Sequence, residues 1–153
     1  MIGLLQRVSS AQVSVNSNIT ASIGKGLLVL IGIEKGDTQR QADRLLDKLL
    51  GYRVFPDNDG KMNLSLSEVN GSLLLVPQFT LPADTKKGMR PSFSSAATPE
   101  MGEKLFEYLL LSAKQKHDIV DSGHFGTDMQ VSLTNDGPVT FWLQIPPDEK
   151  TRY

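Results

Sequence analysis

An aliphatic run from Leu27 to Ile33, broken by one glycine, constrains the fold more than any other segment. The run follows the turn signal Gly24-Lys25-Gly26, and its length and composition are typical of a buried β-strand. Loosely alternating segments over 2–15 and 19–23 precede it and also read as strands. The first part of the chain is therefore expected to build a sheet.

The hydrophobic period changes after Thr38. Thr38 and Gln41 fit a capping box, Gly51 can close a helix C-terminus, and apolar residues recur at helical spacing between them. These residues are Ala42, Leu45, Leu46, Leu49 and Leu50. Thr98-Pro99 predicts a second helix start, and this helix has a buried face of its own. That face comprises Met101, Leu105, Tyr108, Leu109 and Ala113.

The remaining segments complete an α+β pattern. Strands are expected over 52–55, 72–79, 118–121 and 128–145, the last forming a hairpin around Gly137-Pro138, and a long surface loop over 82–97. We expect residues 1–153 to form a single domain, with a largely antiparallel, barrel-like sheet and two main helices packed on it. Residues 146–153 are expected to be a frayed tail.

Composition excludes several classes of function. The 153 residues include no cysteine, which removes thiol nucleophiles and thiolate metal sites. Sixteen Lys/Arg against seventeen Asp/Glu give a net charge of −1, which argues against broad binding to nucleic acid, DNA included. No apolar stretch is long enough to span a membrane. We expect a soluble cytoplasmic protein with no membrane partner.

The dipeptide Gly137-Pro138 can present main-chain carbonyls in an unusual orientation. Proline has no N–H for a sheet ladder, glycine adopts either sign of φ, and an X-Pro bond can be cis at modest cost. Taken alone, the dipeptide is better explained as an ordinary turn.

Conventional catalytic groups are scarce. His117 and His124 lie in no ligand or nucleophile motif, so we expect no metal site and structural or surface histidines. Thr80 follows a strand and could attack an acyl ester, but no His or Lys lies near it in sequence to act as a base. Phe79 is more typical of a core, whereas alternation turns Gln78 outward.

Two separated motifs, however, resemble the D-aminoacyl-tRNA deacylases. The first is Val76-Pro77-Gln78-Phe79-Thr80-Leu81, continued by Ala83-Asp84-Thr85 and Gly88-Met89-Arg90-Pro91-Ser92-Phe93, and the second is Asn135-Asp136-Gly137-Pro138-Val139-Thr140. The likeness extends from Met1-Ile2 and Gln6-Arg7-Val8 to Phe141-Trp142-Leu143. Pro77 departs from the family pattern, which commonly has serine there.

The resemblance implies a homodimeric enzyme without a cofactor that hydrolyses the ester of D-aminoacyl-tRNA. Gly137 and Pro138 would reach into the partner's pocket as a Gly-cis-Pro element, reject L-aminoacyl groups and leave glycyl-tRNA open to cleavage. Phe79 and Thr80 would serve catalysis, with the Phe79 amide as oxyanion donor. Gln78 would line the ester, and Arg7 would hold the Gly-Pro turn.

Contact with the acceptor end of the tRNA would need only a local basic edge. Lys86, Lys87 and Arg90 are the densest candidates, although without the resemblance a solvated loop explains them better. Two alternatives stay open at this point. One is a non-catalytic dimeric module that binds a small amine or an RNA 3′ end, and the other is an esterase with a threonine nucleophile.

Overall fold

A six-stranded sheet forms the framework of the computed structural model, which describes residues 1–149. The strands run in the order β2-β1-β3-β6-β7, and β8 pairs with the other edge of β1. A separate two-stranded ribbon joins β4 to β5. The strands are β1 (Ile2–Val15), β2 (Asn18–Ile23), β3 (Gly26–Gly32), β4 (Phe55–Pro56), β5 (Met62–Leu64), β6 (Ser72–Pro77), β7 (Val120–Ser122) and β8 (Gln130–Gln144).

Strand direction follows from the connections. β1 is antiparallel to β2, β3 and β8, whereas β3–β6 and β6–β7 are parallel. Parallel neighbours need a crossover connection, and the helices fall in these crossovers. The α+β class and the largely antiparallel sheet are therefore confirmed, with two parallel pairs where helices intervene.

The sheet curls into a nearly closed barrel. Ser22 in β2 donates its main-chain N–H to Asp121 Oδ2 in β7 at 3.2 Å, which links the two ends of the strand order. Small and branched apolar side chains fill the interior, while larger ones on the opposite face pack against the helices. The interior set is Val8, Ala11, Val13, Ala21, Ile23, Leu28, Leu74 and Val76. The predicted barrel-like core is confirmed.

Both main helices begin where their caps predict. In α1 (Gln39–Gly51) the Thr38–Gln41 capping box is complete, and in α3 (Pro99–Lys116) Thr98 is the N-cap before a first-turn proline. The helices are joined by a hydrogen bond from Tyr108 Oη to Asp43 Oδ1 at 2.8 Å. A third helix, α2 (Leu66–Val69), was not predicted, because four residues are too few to show a helical period.

Two predicted strands differ from the structure. Residues 52–54 are not in a strand, since Tyr52 caps α1 in an extended conformation and β4 begins only at Phe55. The hairpin predicted around Gly137-Pro138 is wrong, because β8 is one continuous strand whose two halves both pair with β1. The turn-forming residues instead make a bulge within it.

The segment after β8 lies against α1. Gln41 Nε2 donates to the Pro146 carbonyl at 3.5 Å, and Arg40 forms an ion pair with Asp148 at 3.3 Å. Part of the predicted frayed tail, residues 150–153, lies outside the described residues. Within residues 1–149, no helix is long and apolar enough to cross a membrane.

Candidate active site

The first site motif forms a tight turn at the end of β6. Gln78 donates its main-chain N–H to the Ile31 carbonyl at 2.7 Å, which extends the ladder with β3 by one bond. The Leu81 N–H then donates to the Gln78 carbonyl at 3.3 Å and closes a β-turn. Phe79 and Thr80 are the two central residues of this turn, and both are exposed.

Pro77 fits the edge of the ladder without loss of a hydrogen bond. Leu73 donates its N–H to Ile119 and Leu75 accepts from Gly123, so the odd residues of β6 face β7. By the same register, an N–H at position 77 would face Gly123, one residue beyond the end of β7. Proline therefore removes a donor only beyond the last residue pair of the β6–β7 ladder.

A cavity of about 890 Å³ opens beside the turn. Its walls come from the end of β6, the loop over 82–97, the start of α3 and residues 125–129. Phe79 and Phe93 stand at its mouth with their ring centroids 5.5 Å apart. The lining is mostly apolar, with Lys35 as its cationic member, a residue that sequence reasoning missed. A cavity with few polar groups suits a small ligand.

Unused main-chain donors mark the turn. Among residues 1–149, no protein group accepts a hydrogen bond from the N–H of Phe79 or of Thr80. Two adjacent free N–H groups beside an apolar cavity form a suitable site for a carbonyl oxygen that gains negative charge. The oxyanion role of the Phe79 amide stays a prediction.

The Thr80 hydroxyl has a polar partner but no base. Gln78 Nε2 donates to Thr80 Oγ1 at 2.5 Å, and no histidine, lysine or carboxylate bonds this hydroxyl within the described chain. A hydroxyl oxygen that accepts a hydrogen bond without a neighbouring base is a poor nucleophile. The structure therefore gives Thr80 no means of activation.

The second motif forms the bulge of β8. Gln6 pairs with Thr140 and Val8 with Asn135, so residues 136–139 lie opposite Arg7 alone. The Gly137–Pro138 peptide is cis, as expected, and both residues are exposed. Gly137 has φ of +137°, a conformation that side-chain-bearing residues rarely adopt.

Arg7 hydrogen-bonds both the bulge and the body of the protein. Its Nε donates to the Asp136 carbonyl at 3.0 Å, and its Nη1 donates to the Val54 carbonyl at 2.7 Å. The side chain is only 12 % exposed. Asn135 was not singled out from the sequence, yet its side chain bonds Val139 and Thr140 across the bulge.

One chain does not bring the two motifs together. Pro77 in β6 lies opposite Ile31 in β3, which in turn lies opposite Gly3 in β1. The bulge in β8 lies opposite Arg7, four residues further along β1. Four residues of strand separate these levels by about 13 Å, and three strand spacings add about 14 Å across the sheet. Among the described residues, none of 135–140 lines the cavity.

The predicted basic edge lies on the tip of the loop, outside the cavity lining. Lys86, Lys87 and Arg90 are all exposed, and the loop is closed at its base by paired bonds between Asp84 and Ser92. His117 is buried and bonds the Gly71 carbonyl through Nε2 at 2.6 Å, in agreement with a structural role.

Known proteins are similar to this chain in both fold and sequence. A solved structure of the c-Myc DNA unwinding element binding protein superimposes with a TM-score of 0.92 and is 36 % identical, covering 95 % of this chain and 99 % of that one. A D-aminoacyl-tRNA deacylase of Nitrosococcus oceani is 60 % identical over 151 residues, 99 % of this chain and 97 % of its own. One of Pseudomonas fluorescens is 64 % identical over 144 residues, 94 % and 99 % of the two chains.

Relatives named as D-aminoacyl-tRNA deacylases place this chain among the hydrolases. The family model for D-Tyr-tRNA(Tyr) deacylase matches residues 4–144. The chain belongs to this family. The resemblance drawn from the two motifs is confirmed over nearly the whole sequence.

Proposed function

We propose that the chain hydrolyses the ester bond of D-aminoacyl-tRNA and releases the free D-amino acid and tRNA. Family membership supports this activity, and so do relatives named for it. The observation that carries the proposal is the pair of free N–H groups at Phe79 and Thr80, in the turn whose Phe79 lines the apolar cavity.

The reaction needs little from side chains. Water adds to the ester carbonyl carbon, the bond to the ribose oxygen breaks, and that oxygen takes a proton. The Phe79 N–H stabilises the charge on the carbonyl oxygen, and Gln78 lines the ester. The free 2′-hydroxyl of the ribose lies beside the ester and relays the proton, so the enzyme works by positioning.

Selection against L-aminoacyl groups requires a second copy of the chain. In a homodimer, Gly137 and Pro138 of the partner subunit would face the α-carbon and amino group of the bound substrate. The separation of the two motifs within one chain supports this arrangement. So does a row of partly exposed apolar residues across three strands, formed by Leu4, Leu30 and Trp142.

An L side chain would collide with the two carbonyls, whereas a D side chain would point to open space, so selection works by rejection. Glycine has no side chain to reject, and activity extends to glycyl-tRNA for this reason.

Lys86, Lys87 and Arg90 contact the acceptor end, because a chain with a net charge of −1 can bind RNA only through a local basic edge. The enzyme acts in the cytoplasm, where its substrate is made.

Turnover of matched D-tyrosyl-, L-tyrosyl- and glycyl-tRNA tests the proposal. We expect release of D-tyrosine and glycine, with L-tyrosyl-tRNA left intact. A non-catalytic module would instead protect the D-ester from spontaneous hydrolysis. Equal cleavage of the D- and L-esters would contradict the carbonyl screen.

Thr80→Ala is expected to keep activity within about tenfold of the parent, or ~1.4 kcal/mol. The Thr80 hydroxyl accepts a hydrogen bond from Gln78 and has no neighbouring base. Its removal therefore leaves the main-chain N–H donors of the turn in place. Steady-state turnover of D-tyrosyl-tRNA checks this, with circular dichroism as the control for folding. A loss of several orders of magnitude in a folded variant would assign the reaction to a nucleophilic threonine.

Pro77→Ser is expected to change kcat/KM for D-tyrosyl-tRNA by less than about threefold, under ~0.7 kcal/mol. The N–H restored at this position points past the end of β7, and the Gln78 and Phe79 amides stay in place. A gain of about tenfold or more would show that a serine hydroxyl or amide takes part in catalysis.

A further inference from the structure

The Asn135 side chain closes the base of the bulge that carries Gly137 and Pro138. Its Oδ1 accepts a hydrogen bond from the Val139 N–H at 2.8 Å, and its Nδ2 donates to Thr140 Oγ1 at 2.8 Å. Asn135 thus connects the residue before the bulge with the two residues at its end.

The bulge depends on side chains because it has left the ladder. None of residues 136–139 has a Cα partner on β1. Main-chain groups outside a ladder need other hydrogen-bond partners. Arg7 supplies one for the Asp136 carbonyl, and Asn135 supplies one for the Val139 N–H. The Gly-Pro dipeptide is therefore fixed from both of its ends.

The two anchors differ in what they attach to. Arg7 ties the front of the bulge to Val54 in the body of the protein. Asn135 acts within β8 and spans the bulge itself, where the buried side chain of Val139 fixes the far end in the core. Loss of the Asn135 amide would leave the core and Arg7 in place, but the carbonyls between them could turn.

We propose that Asn135 is a positioning residue that sets the direction of the Gly137 and Pro138 carbonyls and thereby the selection of D- over L-aminoacyl groups. The inference rests on the proposed function, in which these carbonyls meet the substrate. Asn135 does not touch the substrate. It acts through the shape of the bulge, so its effect falls on selectivity.

The test compares kcat/KM for matched D- and L-tyrosyl-tRNA. Asn135→Ala is expected to lower the D/L ratio at least about tenfold, because turned carbonyls bind the D-substrate less well and obstruct the L-substrate less. Asn135→Asp is the matched control and is expected to stay within about threefold of the parent, because a carboxylate accepts from both the Val139 N–H and the Thr140 hydroxyl.

Each outcome supports or overturns the positioning role of Asn135. A folded Asn135→Ala enzyme with the parental ratio, or with both rates lowered equally, overturns the inference and leaves the proposed function intact. If the alanine variant loses its native circular dichroism, Asn135→Ser takes its place with the same criterion, since its hydroxyl is too short to reach Val139. A parent enzyme that releases no D-tyrosine overturns the proposed function and this inference together.

Discussion

Gly137→Ala is expected to lower kcat/KM for D-tyrosyl-tRNA at least about 100-fold, or ~2.7 kcal/mol. A Cβ at this position would lie 2.7 Å from Val139 Cγ2 and 3.2 Å from Arg7 Nη2, and the φ of +137° disfavours any side chain. Val139 is buried and β-branched, so it cannot move aside cheaply. The bulge must shift instead, and a misplacement of about 1 Å is enough for such a loss.

Gly60→Ala is the matched control for this variant. Gly60 also has a positive φ, +76°, but a Cβ there would meet nothing within 4 Å, and it lies in the turn before β5. The control therefore carries backbone strain of about 1 kcal/mol without a clash at the site. We expect its turnover to match the parent. A folded Gly137→Ala enzyme with parental activity would show that the bulge does not act in the reaction.

Phe79→Pro is expected to lower kcat about 10²–10³-fold relative to Phe79→Ala, or ~2.7–4 kcal/mol, the usual cost of one oxyanion donor. Proline removes the N–H, whereas alanine keeps it and removes the ring. Phe79 is the second residue of the Gln78–Leu81 turn, and neither central residue has a positive φ. Proline is favoured at this position, so the turn should survive the change.

The comparison of the two variants isolates one hydrogen-bond donor. Both lose the contact between the Phe79 and Phe93 rings, so substrate binding by the ring cancels in their ratio. Steady-state rates at saturating D-tyrosyl-tRNA give kcat for each variant. Equal rates for the proline and alanine variants would remove the Phe79 amide from the mechanism and leave the Thr80 amide as the remaining donor in this turn.

The sequence predicted the elements whose signals are local. Caps and apolar period placed α1 and α3, and the Leu27–Ile33 run placed β3, because these patterns arise within a few turns or one strand. The bulge in β8 was mistaken for a hairpin. Its turn residues are the same in both cases, and only pairing with the distant β1 shows that the strand continues.

The site was predictable in part. Gln78 and Phe79 line the cavity, Thr80 follows them in the same turn, and Arg7 hydrogen-bonds the bulge. The sequence did not predict that Lys35 lines the cavity or that the Asn135 side chain hydrogen-bonds across the bulge. Lys35 reaches the cavity wall only through the fold of the chain. Asn135 belongs to the second motif, but its bonds to Val139 and Thr140 depend on a bulge that the sequence did not predict.

The central claim is that each active site takes its turn from one subunit and its carbonyl screen from the other. Mixing Gly137→Ala with Phe79→Pro subunits tests this claim directly after unfolding and refolding them together. Each heterodimer would then contain one site with both parts intact, and random pairing predicts recovery of about a quarter of the parental D-tyrosyl-tRNA turnover. Activity no higher than that of the separate variants would contradict a site shared between subunits.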